Sequence, residues 1–440
     1  MFQSVHRALA SVLAIVTLLL ASTVIVSADA SRDFEVWLID QSDTNGHEYG
    51  GAIHIYDGNT LIGDAAATTN PVDIVDLSAE SAALCLASTG AHPVRPHMLA
   101  FNATQTHAIL TFVASGHVVI FNADTRVPVA CLRTSAGVDG ARQAHAATPS
   151  PDDTYILVAN QNGKLLERID TDYATGSFAL SAEATLDLAT CVTPNGAACE
   201  DPALRPDNAP IVPVVASSGT LGFITLRGGG LFVVDPKATP MQIVGEYDQA
   251  TVLSNGFAGV EAAGRMYINS GGGSSSHVHG FALYTFPLSG YNAANGPNMP
   301  APELLFSDEE HARDSHGLVL TGDGEYLWAL DRSQNVAEVF ATATGAHLGA
   351  IDLNLGGPDG LAPDLADVSP SGDHVFVSLR GPNPLSGDPH ASTGSTPGLG
   401  VISVTEQGMG GMLECVVPIQ NLDADGVEHA DTHGIRVRLT

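Results

Sequence analysis

The sequence predicts an all-β fold, a seven-bladed β-propeller built from four-stranded antiparallel blades. Three observations predict it. A strand–turn pattern recurs through the chain, and six copies keep a ten-residue step from first to second strand. The chain ends on one strand with nothing after it. The start of the chain supplies the three strands that this lone strand lacks.

The clearest unit runs from His316 to Leu353, HGLVLTGDGEYLWALDRSQNVAEVFATATGAHLGAIDL. An apolar strand, a T-G-D-G turn, an aromatic strand, a polar turn, an alternating strand, a T-G turn and a last strand make an antiparallel meander. One such sheet cannot bury both faces alone, so it needs neighbours on either side. The same frame opens at His97, His145, Ile211, Gly256 and Asp364, and the second strands begin at His107, Tyr155, Leu221, Met266, Tyr326 and His374. That makes six blades. The seventh is split: HGIRVRLT from His433 is its opening strand, and FEVWLID from Phe34, GAIHIYD from Gly51 and a strand around Cys85 complete it. Joining the ends this way removes the free sheet edges.

With S-P-D-D-T-Y-I-L-V-A-N at 150–160 and S-P-S-G-D-H-V-F-V-S at 369–378, the chain resembles the YVTN-type (WD40-like) propeller repeats of surface and periplasmic proteins. The resemblance covers nearly all of residues 31–440 and implies a fold; it implies no activity.

Residues 1–30 read as a signal peptide: His6 and Arg7, an apolar run from Leu9 to about Ile25, and small residues offering cleavage after Ala28 or Ala30. Residues 31–440 are expected to form a single propeller domain, periplasmic or secreted, with no membrane span after cleavage. Acids outnumber bases 48 to 17, for a formal net charge of −31, which repels nucleic acid and anionic lipid. The hydrophobic fraction of 44% is enough for a core, so the charge does not signal disorder. Lys164 and Lys237 are the only lysines, and an acid-rich, lysine-poor surface fits a salty habitat.

Cys191 and Cys199 bracket a Thr-Pro-Asn-Gly step and suit a loop disulfide in an oxidising compartment. Cys85, Cys131 and Cys415 each fall in an expected fourth strand. Equivalent positions on separate blades lie too far apart to bridge, so all three are expected as buried free thiols.

In a propeller the first strand of each blade lines the central channel. The openers, in ring order, are His433, His97, His145, Ile211, Gly256, His316 and Asp364. Blades 6, 7, 1, 2 and 3 thus offer an unbroken arc of His316, Asp364, His433, His97 and His145. Entering loops add His92, His311 and His429, and the loops after second strands add His47, His277, His279 and His390. Eleven of the seventeen histidines fall on one face. The loop S-S-S-H-V-H-G lies near the gap left by Ile211 and Gly256, and His277 and His279 would complete a shell if that loop bends inward. Asp314 and Asp431 each precede a hub histidine by two residues, where a carboxylate could take the second ring N–H and fix the tautomer. His54, His107, His117, His347 and His374 fall in strands or on the opposite face and are expected to be structural.

One channel histidine is ordinarily solvated or hydrogen-bonded to a neighbouring strand. Four at one repeat phase, joined by an aspartate, point to a metal: imidazoles without thiolates suit copper or zinc. The architecture resembles the nitrous oxide reductase propeller, which holds copper on hub histidines. In its wealth of histidines the chain also resembles the propellers of copper-dependent methanethiol oxidases and periplasmic zinc chaperones, again without matching motifs. The adjacent-histidine motif and the C-terminal cupredoxin domain of nitrous oxide reductase are absent, so the resemblance implies a metal hub without a reaction.

The expectation is an exported copper- or zinc-binding propeller, a redox enzyme or a metal carrier, acting on a small molecule or a partner protein. Two alternatives stand beside it. A non-catalytic YVTN-type surface or periplasmic scaffold would bind a partner through rim loops. A lactonase-like hydrolase would activate water at the hub, though the openers include one acid, Asp364, instead of several. N-L-D-A-D-G-V-E at 421–428 shares part of a calcium loop but lacks the distal bidentate glutamate. No nucleophile elbow, P-loop or dinucleotide fingerprint occurs in a suitable context.

Overall fold

The computed structural model describes residues 32–42, 47–63, 66–271, 280–293, 299–309, 312–354, 360–383 and 393–440. Apolar strands separated by Gly, Asp and Asn turns fold into seven antiparallel sheets arranged as a ring. Blade 1 pairs Thr432–Leu439 with Phe34–Asp40, followed by Ala52–Asp57 and Asp73–Asp76. The closing register sets Phe34 against Leu439, Val36 against Val437 and Leu38 against Ile435. Blades 2 to 7 open on Pro96–Phe101, Ala144–Pro149, Pro210–Val215, Gly259–Ala262, Ser315–Thr321 and Pro363–Val368. Each sheet presents apolar residues to both neighbours, as Trp37, Ile53, Leu110 and Phe121 do between blades 1 and 2.

Polar tips of large core residues lock adjacent blades. Tyr155 Oη donates to the Gly219 carbonyl at 2.9 Å, and Trp328 Nε1 donates to the Gly408 carbonyl at 2.8 Å.

Two cysteine expectations are corrected. Cys85 lies in a helix, Glu80–Thr89, and the outer strand of blade 1 is Asp73–Asp76. The helix closes on Gly90, whose φ of 75° suits a left-handed cap. It packs on the outer strand of blade 2, Pro128–Arg133, where Cys85 and Cys131 are disulfide-bonded. The distance argument failed because a helix, unlike an equivalent strand, can lean across the blade boundary. Cys191 and Cys199 form the second bridge, and Cys415 is a half-buried free thiol. Among the described residues no helix is long and apolar enough to cross a membrane. The expected signal peptide lies outside them.

Candidate functional site at the propeller hub

The opening strands aim their side chains by a repeated device. In six blades the pairing of first and second strand slips at the opener. Pro96 faces Phe112 but Leu99 faces Leu110, so His97 and Met98 oppose one residue. The same slip occurs at His145, at Ile211, at His316, at Asp364 and at His433. A bulge at the rim of a sheet redirects a side chain, here toward the axis. Polar residues on second strands stitch several openers to the preceding blade. Thr111 Oγ1 donates to the His145 carbonyl at 3.1 Å, Asn269 Nδ2 to that of His316 at 2.8 Å, and Ser378 Oγ to that of His433 at 2.6 Å.

His97, His145, His316, His433 and Asp364 therefore converge, all buried. His433 Nδ1 donates to Asp364 Oδ2 at 2.6 Å, and His316 Nε2 approaches Asp364 Oδ1 at 3.3 Å. One ligand atom from each of these three residues lies within 4.8 Å of the others, so the group could hold a metal ion. On the other side of His433, the His97 ring stacks at 3.9 Å between centroids. His97 Nε2 and His145 Nε2 lie 3.3 Å apart. The gap at blade 5 is filled by Phe257, whose ring is 4.1 Å from that of His316.

Hydrogen bonds choose the tautomers. His145 Nδ1 must donate to the Ile211 carbonyl at 2.9 Å, which leaves Nε2 as a lone pair. His433, donating from Nδ1 to Asp364, likewise presents Nε2; among the described residues this atom and His316 Nδ1 are buried without a partner. Burial holds all four imidazoles below their usual pKa, His145 down to about 3. They are neutral near pH 7, with lone pairs available. Burial alone would raise Asp364, but His316, His433, Arg332 and Arg380 hold it well below the usual carboxylate range.

The two arginines were missed in the sequence. Arg332 grips Asp314 through Nε and Nη2 at 3.0 and 2.9 Å, and Nη1 reaches Asp364 at 3.4 Å. Arg380 grips Asp431 at 2.6 and 2.8 Å and reaches Asp364 at 3.1 Å. This revises the expected role of Asp314 and Asp431: their carboxylates are engaged by guanidinium groups, and Asp364 meets the ring N–H groups. Arginine follows the second strands of blades 6 and 7, in D-R-S (331–333) and L-R-G (379–381), so the signal was present at one phase in both.

The remaining expected residues are more dispersed. His92 stacks on Tyr49 at 4.0 Å, and His47 stacks on the same tyrosine at 4.7 Å. His429 bonds Asp423 at 2.9 Å in an exposed turn, where that carboxylate also accepts the Asp425 and Val427 amides. His277, His279, His311 and His390 lie outside the described residues.

No family model and no curated protein matches the chain. Solved structures do. A putative 6-phosphogluconolactonase from Bacteroides fragilis is 12% identical, with 93% of this chain and 99% of that one covered at a TM-score of 0.57. A protein from Lactobacillus plantarum is 11% identical, covering 92% and 99% at 0.56. Dihydro-heme d1 dehydrogenase NirN is 9% identical, covering 91% and 74% at 0.50. At such identities the likeness concerns the fold alone: the chain is a seven-bladed β-propeller, closed by its own two ends.

Proposed function

We propose that this chain is an exported metal-binding propeller whose hub holds copper or zinc, acting as a redox enzyme or a metal carrier. The convergence of His316, Asp364 and His433 within 4.8 Å carries this reading. The donor chemistry fits. Zinc–nitrogen bonds of about 2.05 Å at tetrahedral angles set nitrogens about 3.3 Å apart, the spacing found between His97 Nε2 and His145 Nε2. Two disulfides support an oxidising compartment.

The lactonase-like reading has the 6-phosphogluconolactonase likeness behind it. It needs a carboxylate free to activate water, however, and both Asp364 oxygens are engaged by hub histidines and arginines. A lactone screen with and without chelator separates the two.

The deciding experiment is elemental analysis of untagged protein taken from the exported fraction, followed by Cu²⁺ and Zn²⁺ titration of chelated protein. Near-stoichiometric metal that falls in a His316→Ala, His433→Ala double variant is expected. Trace metal with no rebinding would end the proposal.

A further inference from the structure

Beside the hub, two loops run together: Gly50 bridges Val94 in parallel, and its amide donates to the Pro93 carbonyl at 3.0 Å. The second loop leads into blade 2 and carries His92 and Arg95, ending two residues before His97. Arg95 is short of partners. Its guanidinium makes no hydrogen bond or ion pair among the described residues, and its Nε is buried without a partner. Electrostatically it is within reach of Asp431, Arg380, His97 and His145. The acid it would naturally take, Asp431, is already gripped by Arg380. Its backbone φ of 66° is costly for a residue with a Cβ.

Arg95 is not alone. Gln41, 1% exposed, directs Oε1 toward His97 Nδ1 at 3.4 Å and leaves Nε2 buried with no acceptor among the described residues. Buried donors without acceptors are expensive, and two that both act on the His97 imidazole mark the place of a missing acceptor. The amide and guanidinium groups of Gln41 and Arg95 donate only N–H, so what they lack is oxygen, and the positive charge calls for an anion.

We propose that Arg95 and Gln41 form a binding site for a small oxyanion, a carboxylate or a phosphate, seated against the hub imidazoles. The site goes beyond the metal reading and does not depend on it. A divalent ion in the hub would tighten anion binding by adding charge.

The test is calorimetric titration of chelated and zinc-treated protein with acetate and with inorganic phosphate, acetamide serving as the neutral control. Binding of at least one anion and not of acetamide is expected, weakened roughly tenfold or more in Arg95→Asn. Asparagine tolerates positive φ, and circular dichroism checks the fold. Arg95→Lys should recover part of the affinity, and Gln41→Met should weaken binding with the fold intact. Equal affinity in the wild type and in Arg95→Asn would overturn the proposal, as would a wild type that binds neither anion in either form. Zinc content of the same samples is measured separately, so failure of the metal reading appears there and leaves the anion result standing.

Discussion

His145 offers the sharpest measure of how the hub was built. Its folded pKa of about 3 lies below the usual 6.5 because the imidazolium would be stripped of water. The unfolded chain therefore binds a proton that the folded chain refuses, and stability falls as pH drops from 6.5 toward 3. Above that window the residue contributes no pH dependence, and below it the loss levels off. Moving metal-free protein from about pH 7.5 to about pH 5 should cost about 2 kcal/mol through this residue alone. His97, His316 and His433 are shifted in the same direction and add to the loss. The assay is urea unfolding across that range, in chelator, for the wild type and His145→Asn. Asparagine keeps an N–H for the Ile211 carbonyl and carries no titrating group. The variant should lose about 2 kcal/mol less than the wild type between the two pH values, whatever its absolute stability. Parallel pH profiles would refute the claim that His145 is buried and neutral.

Zinc or copper at a hundredfold excess over its dissociation constant should stabilise the chelated protein by about 2.7 kcal/mol, read as a shift in the urea midpoint. Asp364→Asn, which removes the charge that orients His433, should lower metal affinity tenfold or more in competition with a chromogenic chelator. Arg380→Met leaves Asp431 and part of Asp364 uncompensated and should cost about 3–5 kcal/mol in the same unfolding assay. The bridge from Cys85 to Cys131 spans 46 residues and that from Cys191 to Cys199 spans 8. Loop-closure entropy assigns them about 4 and about 2.5 kcal/mol. Paired alanine variants should unfold in that order, and the reverse order would contradict it.

The blades were legible because each is a local object. Strand alternation, the turn signals and the step from opener to second strand all lie within one repeat, and the unmatched strand at the C-terminus announced how the ring closes. The phase of His97, His145, His316, Asp364 and His433 could be read for the same reason: equivalent positions in equivalent blades face the same axis. Other features were hidden because they depend on contacts that the repeat pattern does not set. Cys85 reached Cys131 only because a helix replaced an expected strand, a choice settled by packing on the neighbouring sheet. The pairing of Arg332 with Asp314 and of Arg380 with Asp431 depends on which charges are driven together when water leaves the hub. The donors left unmatched on Gln41 and Arg95 exist only once the ring has closed. Sequence periodicity determined which residues share a storey of the ring. Desolvation at its centre decided which of them bond to one another, because a charge or donor buried there must find its partner among whatever the other blades supply.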